Sequence, residues 1–146
     1  MRPFYFPLQK ILDYRMQLED QAKMELAKAQ QAYQRQVQLV EEMRQKLSEH
    51  EGRLYSGESL STAEMWLWRN YKERLLLDVQ QGEQHMLELA RALNQRRREA
   101  VVRAKDRKLL EKLKTNQMIR HADDEKLREQ KEFDEMATLR YEPQTL

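Results

Sequence analysis

Gly52-Arg-Leu-Tyr-Ser-Gly57-Glu-Ser-Leu-Ser-Thr62 is the only stretch of this chain with the composition of a loop. Ser61 and Glu64 beside it form a capping box, in which each side chain bonds the backbone N–H of the other, so a helix is predicted to start here. The prolines lie near the termini, at positions 3, 7 and 143, and glycine occurs only at positions 52, 57 and 82. Because proline stops helices and glycine weakens them, the long stretches on both sides of the loop are free to be helical.

The composition is typical of a coiled coil. Charged residues make up 36% of the chain, aromatic residues 8%, and the mean hydropathy is -1.01. Such a chain cannot fill a conventional core, but it is rich in strong helix formers. We therefore predict a single all-α domain over residues 1–146, an antiparallel coiled-coil hairpin. Its first helix covers about 7–54, its turn about 55–61 and its longer second helix about 62–139, followed by a short tail.

A heptad pattern, with alternating steps of three and four residues, supports this pairing. In its first half three members are polar, Arg15, Gln36 and His50, and they either contact a partner or fix the register of the two helices. The pattern runs through Leu8, Ile11, Arg15, Leu18, Ala22, Leu26, Ala29, Tyr33, Gln36, Val40, Met43, Leu47, His50 and Leu54, and then through Met65, Trp68, Lys72, Leu75, Val79, Gly82, Met86, Leu89 and Leu93.

Equal rise along both helices sets the register. Residues whose numbers sum to about 116 should lie side by side, which places Leu8 opposite Lys108 and Gly82 near Tyr33 and Gln34. Gly82 would then leave room for the tyrosine ring. The same register leaves Leu109 to Leu139 without an intramolecular partner, as an overhang that either frays or docks into another protein.

Basic residues concentrate in one segment. Between Arg91 and Arg120 there are eleven Lys and Arg and three acids, although the whole chain carries only +2. This segment is either a solvated helix face or a site for an acidic protein groove, an anionic lipid or a nucleic acid. Nucleic acid is disfavoured because the segment has no interleaved aromatic residues and no known binding module.

Nothing in the sequence favours catalysis, so we predict an interaction protein without cofactor, metal or small-molecule substrate. A phosphate-binding loop is missing, the three histidines are far apart, and a helix places His121 on a different face from Asp123. The chain has no cysteine and no apolar run long enough to span a bilayer, and residues 1–7 lack the apolar region typical of a secretory signal. A cytoplasmic location is expected. Trp68 is expected in the helix interface, with Trp66 or Tyr71 available to a partner.

Four segments resemble the bacterial flagellar export protein FliJ in their order and placement, over nearly the whole chain. They are Phe4-Tyr-Phe6-Pro-Leu8-Gln-Lys-Ile-Leu-Asp-Tyr-Arg15, Glu19-Asp20 with the alanine-rich stretch after it, Arg103-Ala-Lys-Asp-Arg-Lys-Leu-Leu-Glu-Lys-Leu-Lys114, and Glu129-Gln-Lys-Glu-Phe-Asp-Glu-Met-Ala137. The resemblance implies a two-helix coiled coil similar to the central stalk of rotary ATPases.

The resemblance also implies partners in the flagellar type III export apparatus: the hexameric export ATPase, the cytoplasmic domain of the membrane export gate, and export chaperones. It implies peripheral association with the inner face of the cell membrane at the flagellar base. The ATPase would contact Leu8, Ile11, Leu12, Arg103, Lys105, Arg107, Leu110 and Leu113. The gate would contact Val40, Met43, Leu47, Trp68, Tyr71, Leu75 and His85. Two alternatives are a basic coiled coil acting on nucleic acid or membrane, and the equivalent stalk of a virulence secretion system.

Overall fold

The computed structural model describes residues 2–54 and 60–141, and in this part of the chain it contains two α-helices. Helix α1 spans Gln9–Leu54 and helix α2 spans Thr62–Arg140. The predicted all-α, two-helix fold is confirmed. Most of the predicted turn, residues 55–59, lies outside the described residues, as does the predicted tail from residue 142 onward.

The predicted capping box forms at the start of α2. Ser61 N donates to Glu64 Oε2 at 3.3 Å, and Glu64 N donates to Ser61 Oγ at 3.2 Å. Met65 N then donates to the Ser61 carbonyl at 2.9 Å, which is the first regular bond of the helix. These bonds satisfy backbone groups that a helix end otherwise leaves without partners.

The chain divides into two compact units. Unit 1 consists of the described residues of Met1–Glu19 and Val102–Leu146, and unit 2 is Asp20–Val101. In unit 2, contacts to α2 move from Gly82 back to Trp68 as α1 advances from Gln36 to His50. In unit 1, Leu12 packs with Leu110 while Arg15, later in α1, bonds Asp106, earlier in α2. The two helices are therefore antiparallel within each unit.

The buried residues of unit 2 follow the heptad pattern, whereas those of unit 1 lie outside it. Val40, Leu75 and Leu93 are buried in unit 2, and Phe6, Leu12 and Leu110 are buried in unit 1. Ile11 and Met65, both predicted in the interface, are exposed. Leu12 takes the place of Ile11 because Phe6 packs on it from the preceding segment, and one residue along a helix is a rotation of about 100°. Met65 lies in the first turn of α2, beyond the contact of His50 with Trp68.

Gly82 has the predicted packing role but different neighbours. A Cβ at this position would lie 3.1 Å from Val40 Cγ2 and 3.6 Å from both Gln36 Nε2 and Met43 Sδ. These three side chains, not Tyr33 and Gln34, are nearest to the missing side chain. The observed register is displaced from the predicted one. The residue numbers of paired residues add up to 118 for Gln36 with Gly82 and for His50 with Trp68. They add up to 122 for Leu12 with Leu110, compared with the predicted value of about 116.

The predicted overhang from Leu109 is wrong for its first part. Leu110 is buried against Phe6 and Leu12, and Phe4 and Leu8 pack on the same cluster. Farther along α2, the His121 ring lies 5.7 Å from the Phe4 ring, and His121 Nε2 donates to the Arg2 carbonyl at 2.9 Å. The prolines before α1 prevent residues 2–8 from being helical. This segment nevertheless packs along α2 as non-helical chain. Beyond residue 126 the described side chains of α2 are exposed.

Candidate partner-binding surfaces

The three polar residues that α1 contributes to the heptad pattern all bond the backbone of α2. Arg15 Nη1 donates to the Asp106 carbonyl at 2.8 Å, and Gln36 Nε2 donates to the Gly82 carbonyl at 3.0 Å. His50 Nε2 lies 3.0 Å from the Trp68 carbonyl, which can only accept, so this nitrogen carries the proton. Each of these hydrogen bonds forms best at one particular alignment of the two helices. The structure therefore favours register setting over partner contact for these residues.

Burial separates the predicted ATPase-binding residues into two groups. Leu12 and Leu110 form the core of unit 1 with Phe6, and Leu8 packs against that core. A partner cannot touch Leu12 or Leu110 without opening the helix pair. In the structure these two leucines are core residues and not part of an exposed surface, because the pairing of the two helices buries them.

Arg107, another predicted ATPase contact, is tied to acidic residues of its own unit. It donates through Nε to the buried carboxylate of Glu19 on α1, and through Nη1 to Glu111 Oε2 at 2.7 Å. The hydrogen bond to Glu19, followed by that to Glu111, raises the pKa of Arg107. A raised pKa means that the stabilising charge is fully present below the usual arginine pKa and is lost only above the raised value. Arg107 therefore stays charged throughout the neutral range and acts as a structural residue.

We expect Arg107→Leu to destabilise unit 1, because it removes a cationic partner of the buried Glu19 carboxylate. The double variant Glu19→Leu with Arg107→Leu should recover most of the loss, since apolar residues of similar size commonly replace a buried ion pair without penalty. Urea unfolding followed by circular dichroism measures both effects. Arg103→Leu, at an exposed arginine on the same helix, is the control and should change little. A double variant no more stable than Arg107→Leu would contradict the assignment.

The other predicted ATPase contacts remain accessible. Ile11, Arg103, Lys105 and Leu113 are all exposed. Lys105 and Leu113 lie four residues on either side of Leu109, so the three side chains share one face of α2. Leu109 is 66% exposed, whereas its neighbour Leu110 is 7% exposed. We call Lys105, Leu109 and Leu113 the unit 1 face. Leu109 is absent from the predicted contact residues, although its i, i+4, i+8 spacing with Lys105 and Leu113 is visible in the sequence.

The predicted gate-binding residues are divided in the same way. Val40 and Leu75 are buried in unit 2, so they can only support a surface. Met43, Leu47 and Trp68 are half-buried, and Tyr71 and His85 are exposed. A partner can therefore reach only the last five of the seven predicted residues.

His50 organises the aromatic part of this surface. Its ring stacks on Trp68 with centroids 4.5 Å apart, and Tyr71 meets it edge-on at 4.8 Å. An open groove of about 340 Å³ is lined by His50, Arg53, Leu67, Trp68 and Tyr71. Trp68 thus lies in the helix interface as predicted, and Tyr71 is available at its edge. We call Leu67, Trp68, Tyr71 and His85 the unit 2 aromatic face.

The described residues show neither a metal-binding cluster nor a membrane-spanning helix. Within residues 2–54 and 60–141, no group of three His, Asp or Glu is placed to hold a metal ion. His121, which carried the one hint of such a site, bonds the Arg2 carbonyl instead. In the same residues, neither helix is long and apolar enough to cross a bilayer.

The chain matches a model of a known protein family. The family model described as "FliJ: Flagellar FliJ protein" matches residues 4–145, which is nearly the whole chain. No curated protein and no solved structure matches this chain. The matched range includes both the unit 1 face and the unit 2 aromatic face.

Proposed function

The chain belongs to the flagellar FliJ family, whose members are components of flagellar type III export, and we propose that it is the non-catalytic stalk of that apparatus. In this role it binds the hexameric export ATPase and links it to the cytoplasmic domain of the membrane export gate and to export chaperones. It works in the cytoplasm, peripherally associated with the membrane at the flagellar base. The match to a flagellar model favours this role over that of a virulence-system stalk.

The proposal draws its main support from the unit 1 face. Leu109 and Leu113 are apolar side chains exposed to solvent on a helix that has already buried Leu110 on its other side. Lys105 lies on the same face, and Lys112 is exposed beside it. An apolar strip with basic neighbours suits an apolar groove with an acidic rim. We assign this face, together with the exposed Ile11, to the ATPase.

The unit 2 aromatic face is assigned to the export gate. Aromatic side chains that are partly exposed and rigidly held are common anchors of protein interfaces. Trp68 and Tyr71 are held by the ring of His50, which is itself fixed by its bond to the Trp68 carbonyl. Met43, Leu47 and His85 complete the accessible part of the predicted set.

The mechanism requires no chemistry by this chain. A protein that contacts two partners can couple them only through differential affinity for their states. Nucleotide-dependent changes in the ATPase would alter its contacts with the unit 1 face, and the change in occupancy would alter engagement of the gate.

The test compares two surface variants against both partners. Leu109→Glu should weaken binding to the hexameric ATPase by about tenfold or more and leave gate binding unchanged, because it puts a charge into one apolar contact. Tyr71→Glu should do the reverse. Each variant is the control for the other, and circular dichroism verifies that both remain helical. Affinities are measured by titration with purified ATPase and purified gate domain, and ATPase turnover gives a second readout.

Salt separates this proposal from a basic coiled coil that acts on nucleic acid or membranes. Purely ionic binding falls steeply with salt, by about a thousandfold or more for a protein with many phosphate contacts. The apolar contacts proposed here should keep most of their affinity. The assignment of the two faces would be contradicted if both variants lost equal affinity for the ATPase and for the gate domain. ATPase binding that disappears at high salt would also contradict it.

A further inference from the structure

A third surface of the molecule belongs to neither face described above. On α2 within unit 2, Met65, Leu76 and Leu87 are each between 45% and 58% exposed. They are eleven residues apart, which is close to three full turns, so they lie in a straight line along the helix. Between them, on the same side, the sequence places polar residues at helical spacing. We call the whole set the Leu76 stripe: Met65, Arg69, Lys72, Leu76, Gln80, Glu83 and Leu87.

The stripe is complementary to itself about Leu76. Seven residues before Leu76 is Arg69, and seven residues after it is Glu83. Eleven residues before it is Met65, and eleven after it is Leu87. If two copies of the stripe pair antiparallel with Leu76 at the centre, every apolar residue meets an apolar residue and every Arg69 meets a Glu83.

We propose that the Leu76 stripe is the docking site for a second copy of this chain. The interface is isologous, meaning that a twofold axis passes beside Leu76 and the same patch is used by both copies. Leu76 packs against Leu76 of the other copy, Met65 against Leu87, and Arg69 forms an ion pair with Glu83. The symmetry produces two such ion pairs for each dimer.

Two ion pairs with α1 hold polar side chains of the Leu76 stripe in place. Arg44 Nη2 lies 2.5 Å from Glu83 Oε1, and Lys72 Nζ lies 3.4 Å from Glu51 Oε1. The Glu83 side chain is still 42% exposed, and a carboxylate has lone pairs for more than one donor. Arg44 therefore orients the carboxylate that the second copy's Arg69 reaches.

The stripe lies on a different side of α2 from Tyr71. Five residues separate Tyr71 from Leu76, which is a rotation of about 140°. The unit 2 aromatic face can thus remain accessible in the dimer. With three apolar side chains from each copy the interface is small, so we expect weak, reversible association with a dissociation constant of roughly tens of micromolar.

Cysteine cross-linking tests the geometry of the dimer. The chain has no cysteine, so Leu76→Cys introduces a single thiol beside the twofold axis. Leu77→Cys is the matched control, because Leu77 is similarly exposed but about 100° away around the helix. Under mild oxidation, Leu76→Cys should form the disulfide dimer about tenfold faster than Leu77→Cys at equal concentration. Equal rates would overturn the proposal.

A charge exchange tests the ion pairs independently. Arg69→Glu and Glu83→Arg should each weaken dimerisation by about three- to tenfold, because symmetry removes two surface ion pairs at once. The double variant carries both charges reversed and should associate about as well as the original chain. Sedimentation equilibrium measures association, and thermal unfolding checks the effect of placing an arginine beside Arg44.

Two results would overturn the second-copy assignment. One is a chain that stays monomeric well above the expected dissociation constant, whether or not another protein binds the stripe. The other is a double variant as weak as the single ones, because this would mean that Arg69 does not meet Glu83.

Discussion

Leu110→Ala is expected to lower the free energy of unfolding of unit 1 by about 2–3 kcal/mol, whereas Leu109→Ala should change it by less than about 0.5 kcal/mol. The two residues are neighbours of the same type on one helix. Leu110 is buried against Phe6 and Leu12, so its truncation removes apolar contacts and leaves a cavity. Leu109 faces solvent and loses little. We expect the lower part of the range for buried Leu→Ala substitutions, because the open groove beside Phe6 and Met118 allows neighbouring side chains to fill part of the cavity.

Urea unfolding measures the stability difference, and hydrogen exchange shows whether the amides that open first belong to residues 9–19 and 102–121. The expected effect on ATPase binding is the reverse of the effect on stability, since Leu109 lies on the proposed ATPase contact face and Leu110 does not. Leu109→Ala should weaken ATPase binding without destabilising the chain. Equal stability losses for the two variants would mean that Leu110 is not part of a core.

The pairing of Phe6 with Leu110 also rules out one otherwise attractive deletion. Removing everything from Leu109 onward would seem to delete only a projecting helix. In the structure it deletes Leu110 and uncovers Phe6 and Leu12. Surface substitutions on the unit 1 face therefore test the ATPase contact more directly than truncation.

Gly82→Leu is expected to destabilise unit 2 by about 2–3 kcal/mol. A Cβ alone would lie 3.1 Å from Val40 Cγ2. Val40 is 1% exposed, and its branched side chain has few alternative rotamers, so it cannot yield by turning away. A leucine would also displace Gln36 from the Gly82 carbonyl and remove a register-setting hydrogen bond. For Gly82→Ala the gain in helix propensity, about 1 kcal/mol, roughly offsets the crowding.

Gly52 provides the control for this prediction. It lies in the last turn of α1, and nothing lies within 4 Å of the position that a Cβ would take. Gly52→Ala should therefore stabilise the chain slightly, by up to about 0.5 kcal/mol, through helix propensity alone. Thermal or urea unfolding of the three variants measures the contrast. A Gly82→Leu variant as stable as Gly52→Ala would show that the helices do not approach closely at Gly82.

Sequence reasoning succeeded where the information is local. The start of α2 follows from Ser61 and Glu64, whose capping bonds depend on residues only three apart. The alternation of apolar residues likewise identified Val40, Leu75 and Leu93 as interior positions, because helical periodicity fixes which side chains share a face.

It failed where the outcome depends on how two distant stretches meet. The predicted pairing placed Gly82 beside Tyr33, whereas its nearest neighbours are Val40, Gln36 and Met43. A heptad pattern repeats, so it permits several alignments that differ by small shifts, and each gives similar apolar contact. The bonds from Arg15, Gln36 and His50 to carbonyls of the other helix distinguish these alignments, and their acceptors cannot be identified from the sequence.

The candidate surfaces show the same division. Of the contact residues predicted from family resemblance, Lys105, Tyr71 and His85 are exposed, but Leu12, Val40, Leu75 and Leu110 are buried. Apolar character is required both of a core residue and of an interface residue. Only the packing of the second helix decides which of the two roles a given leucine has.

The sequence by itself determined that this chain forms two long helices, where the second one begins, and which family it resembles, since these depend on propensities, caps and residue order along the chain. The tertiary structure alone decided the register, the burial of Glu19 with Arg107, the packing of Phe6 on Leu110 and the exposure of Leu109. Each of these depends on distances between residues that are far apart in sequence. Such distances are set by the packing of both helices together and not by any local preference.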